Sequence, residues 1–167
     1  IYTLYSVLFV LLFLAASPLL VAKMVFRRKY WKSFRGKLGR VPRELRELRG
    51  SPRIWFHAVS VGEVNAVSPV VRELRGRYRD ACIVVSTGTE TGQEMARKNV
   101  PDANAIFYCP LDFPWAVGRV LAAIEPHLVI TAEAELWPNL LRLAHARGAR
   151  TMLVNGRISQ HSFRRYL

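Results

Sequence analysis

Hydrophobic and polar positions divide the chain into three regimes. Residues 1–22 carry no charge and are dominated by Leu, Val, Ile, Phe, Ala and Tyr, which predicts a helix apolar on every face and roughly 33 Å long. Residues 23–50 are strongly basic. After Gly50-Ser51-Pro52, short apolar runs alternate with longer amphipathic ones. This pattern predicts strands at Arg53–Ala58, Cys82–Ser86, Ala105–Cys109, Leu128–Thr131 and Thr151–Val154. Between them it predicts helices at Asn65–Arg77, about Thr91–Lys98, Pro114–Ile124 and Trp137–Arg147. Val67, Val70, Val71 and Leu74 share one helical face, Pro114 suits a first turn and Gly148 can end a helix. Strands alternating with helices at this spacing imply βαβ crossovers, hence an α/β fold with a Rossmann-like parallel sheet and flanking helices.

The first regime reads as a membrane anchor, residues 1–22. Pro18 would kink it, so a tilted span and a monotopic helix are both compatible. A buried core helix and a cleaved signal peptide are the alternatives. The latter is disfavoured because no basic region precedes the apolar run and a dense one follows. In residues 23–50, eleven Lys and Arg from Lys23 to Arg49 face only Glu44 and Glu47, and they supply most of the net charge of +13. Basic residues after an apolar span stay on the cytoplasmic side and attract anionic lipids. A basic juxtamembrane segment at a bacterial inner membrane, with the globular part facing the cytoplasm, is therefore expected. Nucleic acid is not an expected partner, since the charge borders the apolar run and no nucleic-acid motif follows.

A length of 167 residues allows one ordinary domain, here residues 51–167, and the 51% hydrophobic content excludes global disorder. Two cysteines, Cys82 and Cys109, exclude a disulfide scaffold and a cysteine zinc site. No metal and no cofactor are expected. The start at Ile1 and the basic, aromatic end suggest a piece of something longer.

In an open parallel sheet, ligands bind beyond the carboxyl ends of the strands. The segments there are His57–Glu63, Thr87–Gly92, Pro110–Pro114, Glu133–Asn139 and Asn155–Ser159. Two carboxylate loops facing hydroxyl- and glycine-rich loops suit acid–base work on a polyhydroxylated substrate. Each also has a plainer structural use. Ser60 and Glu63 have the spacing of a capping box, Thr87–Gly92 suits a capped turn, and His57 suits a core histidine. Glu133 and Glu135 could cap the next helix, although Trp137 and Pro138 stiffen their loop. Asp112 suits a turn or cap.

Together, the strings His57–Ala66, Glu133–Asn139 and Val154–Ser162 resemble the motifs of bacterial Kdo (3-deoxy-D-manno-octulosonic acid) transferases, which attach Kdo to a lipid A precursor in lipopolysaccharide synthesis. The resemblance implies the amino-terminal, acceptor-binding half of an inverting GT-B glycosyltransferase, with the domain that binds the donor CMP-Kdo absent from this chain. It implies that Glu63 is the general base and Glu133 a transition-state stabiliser. Ser60, Gly62, Thr87, Thr89, Glu135, Asn155 and Arg157 are the expected substrate-binding residues. The expected partners are CMP-Kdo, the lipid A precursor and anionic membrane lipids. Ala134, Glu90 and Gly156 depart from residues usual in that family without removing a carboxylate. A non-catalytic membrane- or lipid-binding module and a carboxylate-pair glycoside hydrolase are the competing functions.

Overall fold

The computed structural model describes residues 2–26, 30–133 and 135–156, and within them the side chains of all but 19–26 and 30–32. In chain order the elements are α1 (Tyr2–Phe26), α2 (Tyr30–Lys37), α3 (Arg43–Arg46), β1 (Arg53–His57), α4 (Val61–Arg77), β2 (Cys82–Thr87) and α5 (Glu90–Asn99). There follow β3 (Ala105–Tyr108), α6 (Pro114–Ile124), β4 (Leu128–Ala132), α7 (Pro138–Ala146) and β5 (Arg150–Val154). The strands form one parallel sheet in the order β3-β2-β1-β4-β5. The α/β, Rossmann-like expectation holds.

Side chains on a strand alternate between faces, so a sheet covered on both sides has two cores. On one face Trp55, Val84, Phe107 and Val129 pack with Val117, Leu121 and Ile124 of α6 and Leu140 of α7. On the other, Phe56, Ile83, Val85 and Ile130 pack with Val64, Val67 and Val71 of α4 and Ala96 of α5. Trp55 and Phe56 are both fully buried, and burying such a side chain stabilises the fold by about 1.5–3 kcal/mol. Leu45 of α3, within the basic segment, is also fully buried in the first core.

The helix ends follow local chemistry. Pro114 and Pro138 open α6 and α7, where their missing N–H groups cost nothing. Asp112 caps α7 from a distance: its two carboxylate oxygens accept from the backbone N–H groups of Asn139 and Leu140, at 2.8 and 2.9 Å.

The expectation of a membrane-anchor helix needs correction. The helix α1 forms, yet among the described residues no helix is long and apolar enough to cross a membrane. Where its side chains are described, α1 also has two different sides. One side docks on the domain: Phe9 and Phe13 meet Phe113 edge-on at 5.1 Å each, and Asn139 donates to Ser6 Oγ at 3.1 Å. The other side leaves Leu4, Leu8, Leu11 and Leu12 exposed.

Candidate active site

The chain leaves β1 toward β2 on one side of the sheet and later returns through β4 on the other. The topological switch point therefore lies between β1 and β4, and the crevice at their carboxyl ends is where such sheets bind ligands. The β1 loop brings Ser60, Gly62 and Glu63 there, and the β4 loop brings Glu133 and Glu135.

The helix α4 begins with a capping box. Ser60 Oγ accepts from Glu63 N–H at 3.3 Å, while Glu63 Oε2 accepts from Val59 N–H at 2.9 Å and Oε1 accepts from Ser60 Oγ–H at 2.8 Å. Glu63 is buried. Its carboxylate is thus fixed, though each oxygen retains a lone pair beyond the one engaged. The structural and chemical uses of Glu63 are compatible. Gly62 is exposed, and a Cβ there would meet only Ser60 Oγ, at 3.8 Å, so packing does not demand glycine at that position.

The β4 loop is held from both sides. Glu133 has left-handed backbone (φ 54°) and its Oε1 lies 3.4 Å from Asn155 Nδ2. Glu135 Oε2 accepts from the Trp137 indole at 2.6 Å. Burial pushes the Glu135 carboxyl above its ordinary range; the indole bond opposes this, and the charges of Glu63 and Glu133 add to it. The charges of Glu63 and Glu133 therefore reach Glu135 across the crevice.

The hydroxyl loop after β2 is mainly structural. Thr89 Oγ1 caps α5 by accepting from Gly92 N–H at 3.0 Å, and buried Thr87 donates to Thr89 O at 3.3 Å. The loop also braces the β1 loop: Gly88 N–H donates to Val59 O at 3.0 Å. A Cβ on Gly88 would fall 2.5 Å from Val59 Cγ1, so this close approach requires glycine. Arg157 lies outside the described residues. Among the described residues, no group of three or more His, Cys, Asp or Glu is placed to hold a metal ion.

Three contributors escaped the sequence reading: Ser86, Trp137 as partner of Glu135, and Asp112 as a remote cap. Ser86 is fully buried and meets both Trp55 Nε1 at 2.8 Å and His57 Nδ1 at 3.0 Å. Its signal was a hydroxyl at the end of an otherwise apolar strand.

A Rossmann-like layer with carboxylates gathered at its switch point defines an α/β domain built to bind a ligand there. The chain belongs to the 3-deoxy-D-manno-octulosonic-acid transferase (kdotransferase) family, whose profile matches residues 32–167. It is similar to a 3-deoxy-D-manno-octulosonic acid transferase of Chlamydia muridarum, with 33% identity over 98% of this chain and 38% of the relative. A transferase of the same description from Haemophilus influenzae shares 39% identity over 68% of this chain and 26% of its own length. A probable mitochondrial one from Arabidopsis thaliana shares 38% over 68% and 25%. The chain thus spans well under half the length of the curated relatives it matches.

Proposed function

We propose that this chain is the acceptor-side half of an inverting glycosyltransferase that moves Kdo from CMP-Kdo to a lipid A precursor. The observation that carries this reading is the convergence of Glu63, Glu133 and Glu135 at the switch point, within a chain of the Kdo transferase family. A second domain would supply the donor site.

Glu63 removes the proton from the acceptor hydroxyl as that oxygen bonds to the anomeric carbon. The bond from that carbon to the CMP phosphate breaks on the opposite face, and the proton passes from Glu63 to solvent. General-base help of this kind contributes roughly 10²–10⁴-fold. Glu133 stabilises the positive charge that develops on the sugar, a task suited to a preorganised carboxylate. Glu135, Asn155, Ser60 and the β2 loop contact the substrates, and Arg157 holds an anionic part of donor or acceptor.

The site works at the cytoplasmic surface of the bacterial inner membrane. The exposed leucines of α1 enter the headgroup boundary and the basic residues of segment 23–50 attract anionic lipids. The deciding experiment incubates the full-length protein with CMP-Kdo and a lipid A precursor and follows Kdo on the lipid by mass spectrometry. Kdo–lipid formed with inversion is the expected product. Release of free sugar without an activated donor would instead favour the hydrolase.

A further inference from the structure

His57 is fully buried at the end of β1, and the transfer scheme above gives it no task. Its Nδ1 lies 3.0 Å from Ser86 Oγ, a hydroxyl with one proton and two lone pairs. The Trp55 indole, which can only donate, takes one lone pair at 2.8 Å. Two acceptors then compete for the Ser86 proton: His57 Nδ1 at 3.0 Å and Phe56 O at 3.4 Å. When Ser86 donates to Nδ1, the imidazole proton sits on Nε2, and only in that tautomer does the nitrogen facing Glu135 Oε2 present a donor rather than a lone pair.

That nitrogen is buried and has no hydrogen-bond partner among the described residues, a state that costs about 1–3 kcal/mol. It faces Glu135 Oε2 at 4.0 Å, the oxygen already held by Trp137. Trp137 also stands edge-on to the imidazole, with ring centroids 5.9 Å apart at 75°. A movement of about 1 Å by the Glu135 loop would bring N and O to ordinary hydrogen-bond distance.

We propose that His57 is a positioning residue: its Nε2–H and the Trp137 indole together clamp Glu135 Oε2, leaving Oε1 to receive a substrate hydroxyl. The substrate half of this statement rests on the transfer reading; the clamp itself does not.

The test uses the full-length enzyme with ¹⁵N-labelled histidine, together with His57→Gln and His57→Asn. The spectrum at neutral pH should show His57 protonated on Nε2. Glutamine places an amide nitrogen near the Nε2 position, whereas asparagine reaches only the Nδ1 position. His57→Asn should therefore raise a substrate KM by about tenfold with kcat within about threefold, and His57→Gln should restore most of that loss. In a Glu135→Ala background, His57→Asn should add nothing further. His57→Asn should also shift the Trp137 indole resonance, a readout that needs no turnover. If the protein fails to transfer Kdo, the tautomer and the indole shift still decide the clamp. An Nδ1-protonated ring, equal effects of Asn and Gln, or losses that multiply with Glu135→Ala would each overturn it.

Discussion

Asn155 Nδ2 lies 3.4 Å from Glu133 Oε1, and both residues hold left-handed backbone at φ 54°. They stand at the ends of neighbouring strands, where Glu133 N–H also donates to Val154 O at 2.9 Å. Asparagine adopts that conformation readily; glutamate adopts it at a cost of about 1 kcal/mol. Strain of this sort gathers where a side chain must be aimed at chemistry.

Glu133→Gly should consequently be more stable than Glu133→Ala by about 1 kcal/mol, because only glycine relieves the left-handed strain. Both variants should lose turnover. Urea midpoints compared with the transfer assay check this, and an alanine variant as stable as the glycine one would show that the backbone there is unstrained.

His57 gives the fold an acid-sensitive point. Burial lowers its pKa from 6.5 to about 4 in the folded protein. Between those values the unfolded chain binds a proton that the folded one does not, so stability falls as pH drops from 6.5 toward 4. The loss can reach about 3 kcal/mol. His57→Gln should flatten this part of the pH profile in urea unfolding, measured at pH 7 and pH 5. An unchanged slope would assign the acid sensitivity to other groups.

Much of the sheet was legible because buried parallel strands are short, apolar and evenly spaced. Each observed strand falls within one residue of its expected bounds at either end. The helix expected from Asn65 in fact starts at Val61, since the capping box opens it before the apolar periodicity begins. Less legible were pairings far apart in sequence. The reach of Asp112 to Asn139 and Leu140, and of Ser86 to Trp55 and His57, depends on the strand order, which periodicity does not encode. The docking of α1 was hidden for another reason: Phe9 and Phe13, which face Phe113, are as apolar as the leucines on the opposite side.

That two-sidedness makes a separable prediction. Leu8→Gln with Leu12→Gln, both on exposed positions, should weaken binding to anionic vesicles by about tenfold or more. Phe13→Ala should instead lower the melting temperature by removing its contact with Phe113. Vesicle sedimentation beside thermal unfolding distinguishes the two. Equal vesicle binding by the leucine variant and wild type would remove α1 from the membrane contact.

The capping box and the general base meet in Glu63, and substitutions can pull them apart. Its two oxygens accept separately, from Val59 N–H and from Ser60 Oγ–H. Glu63→Gln keeps one acceptor oxygen and adds a donor, so it should cost about 1 kcal/mol of stability. An amide takes no proton at neutral pH, so turnover should fall by roughly 10²–10⁴-fold. Ser60→Ala removes the hydroxyl that caps Glu63 N–H and steadies its Oε1. It should cost about 1 kcal/mol too, but leave the base intact and lower turnover only modestly. The two variants would thus match in stability and differ widely in rate. Thermal unfolding set beside single-turnover transfer kinetics measures both quantities. Equal rates in the two variants would reduce Glu63 to a helix cap and move the search for the base to Glu133 and Glu135.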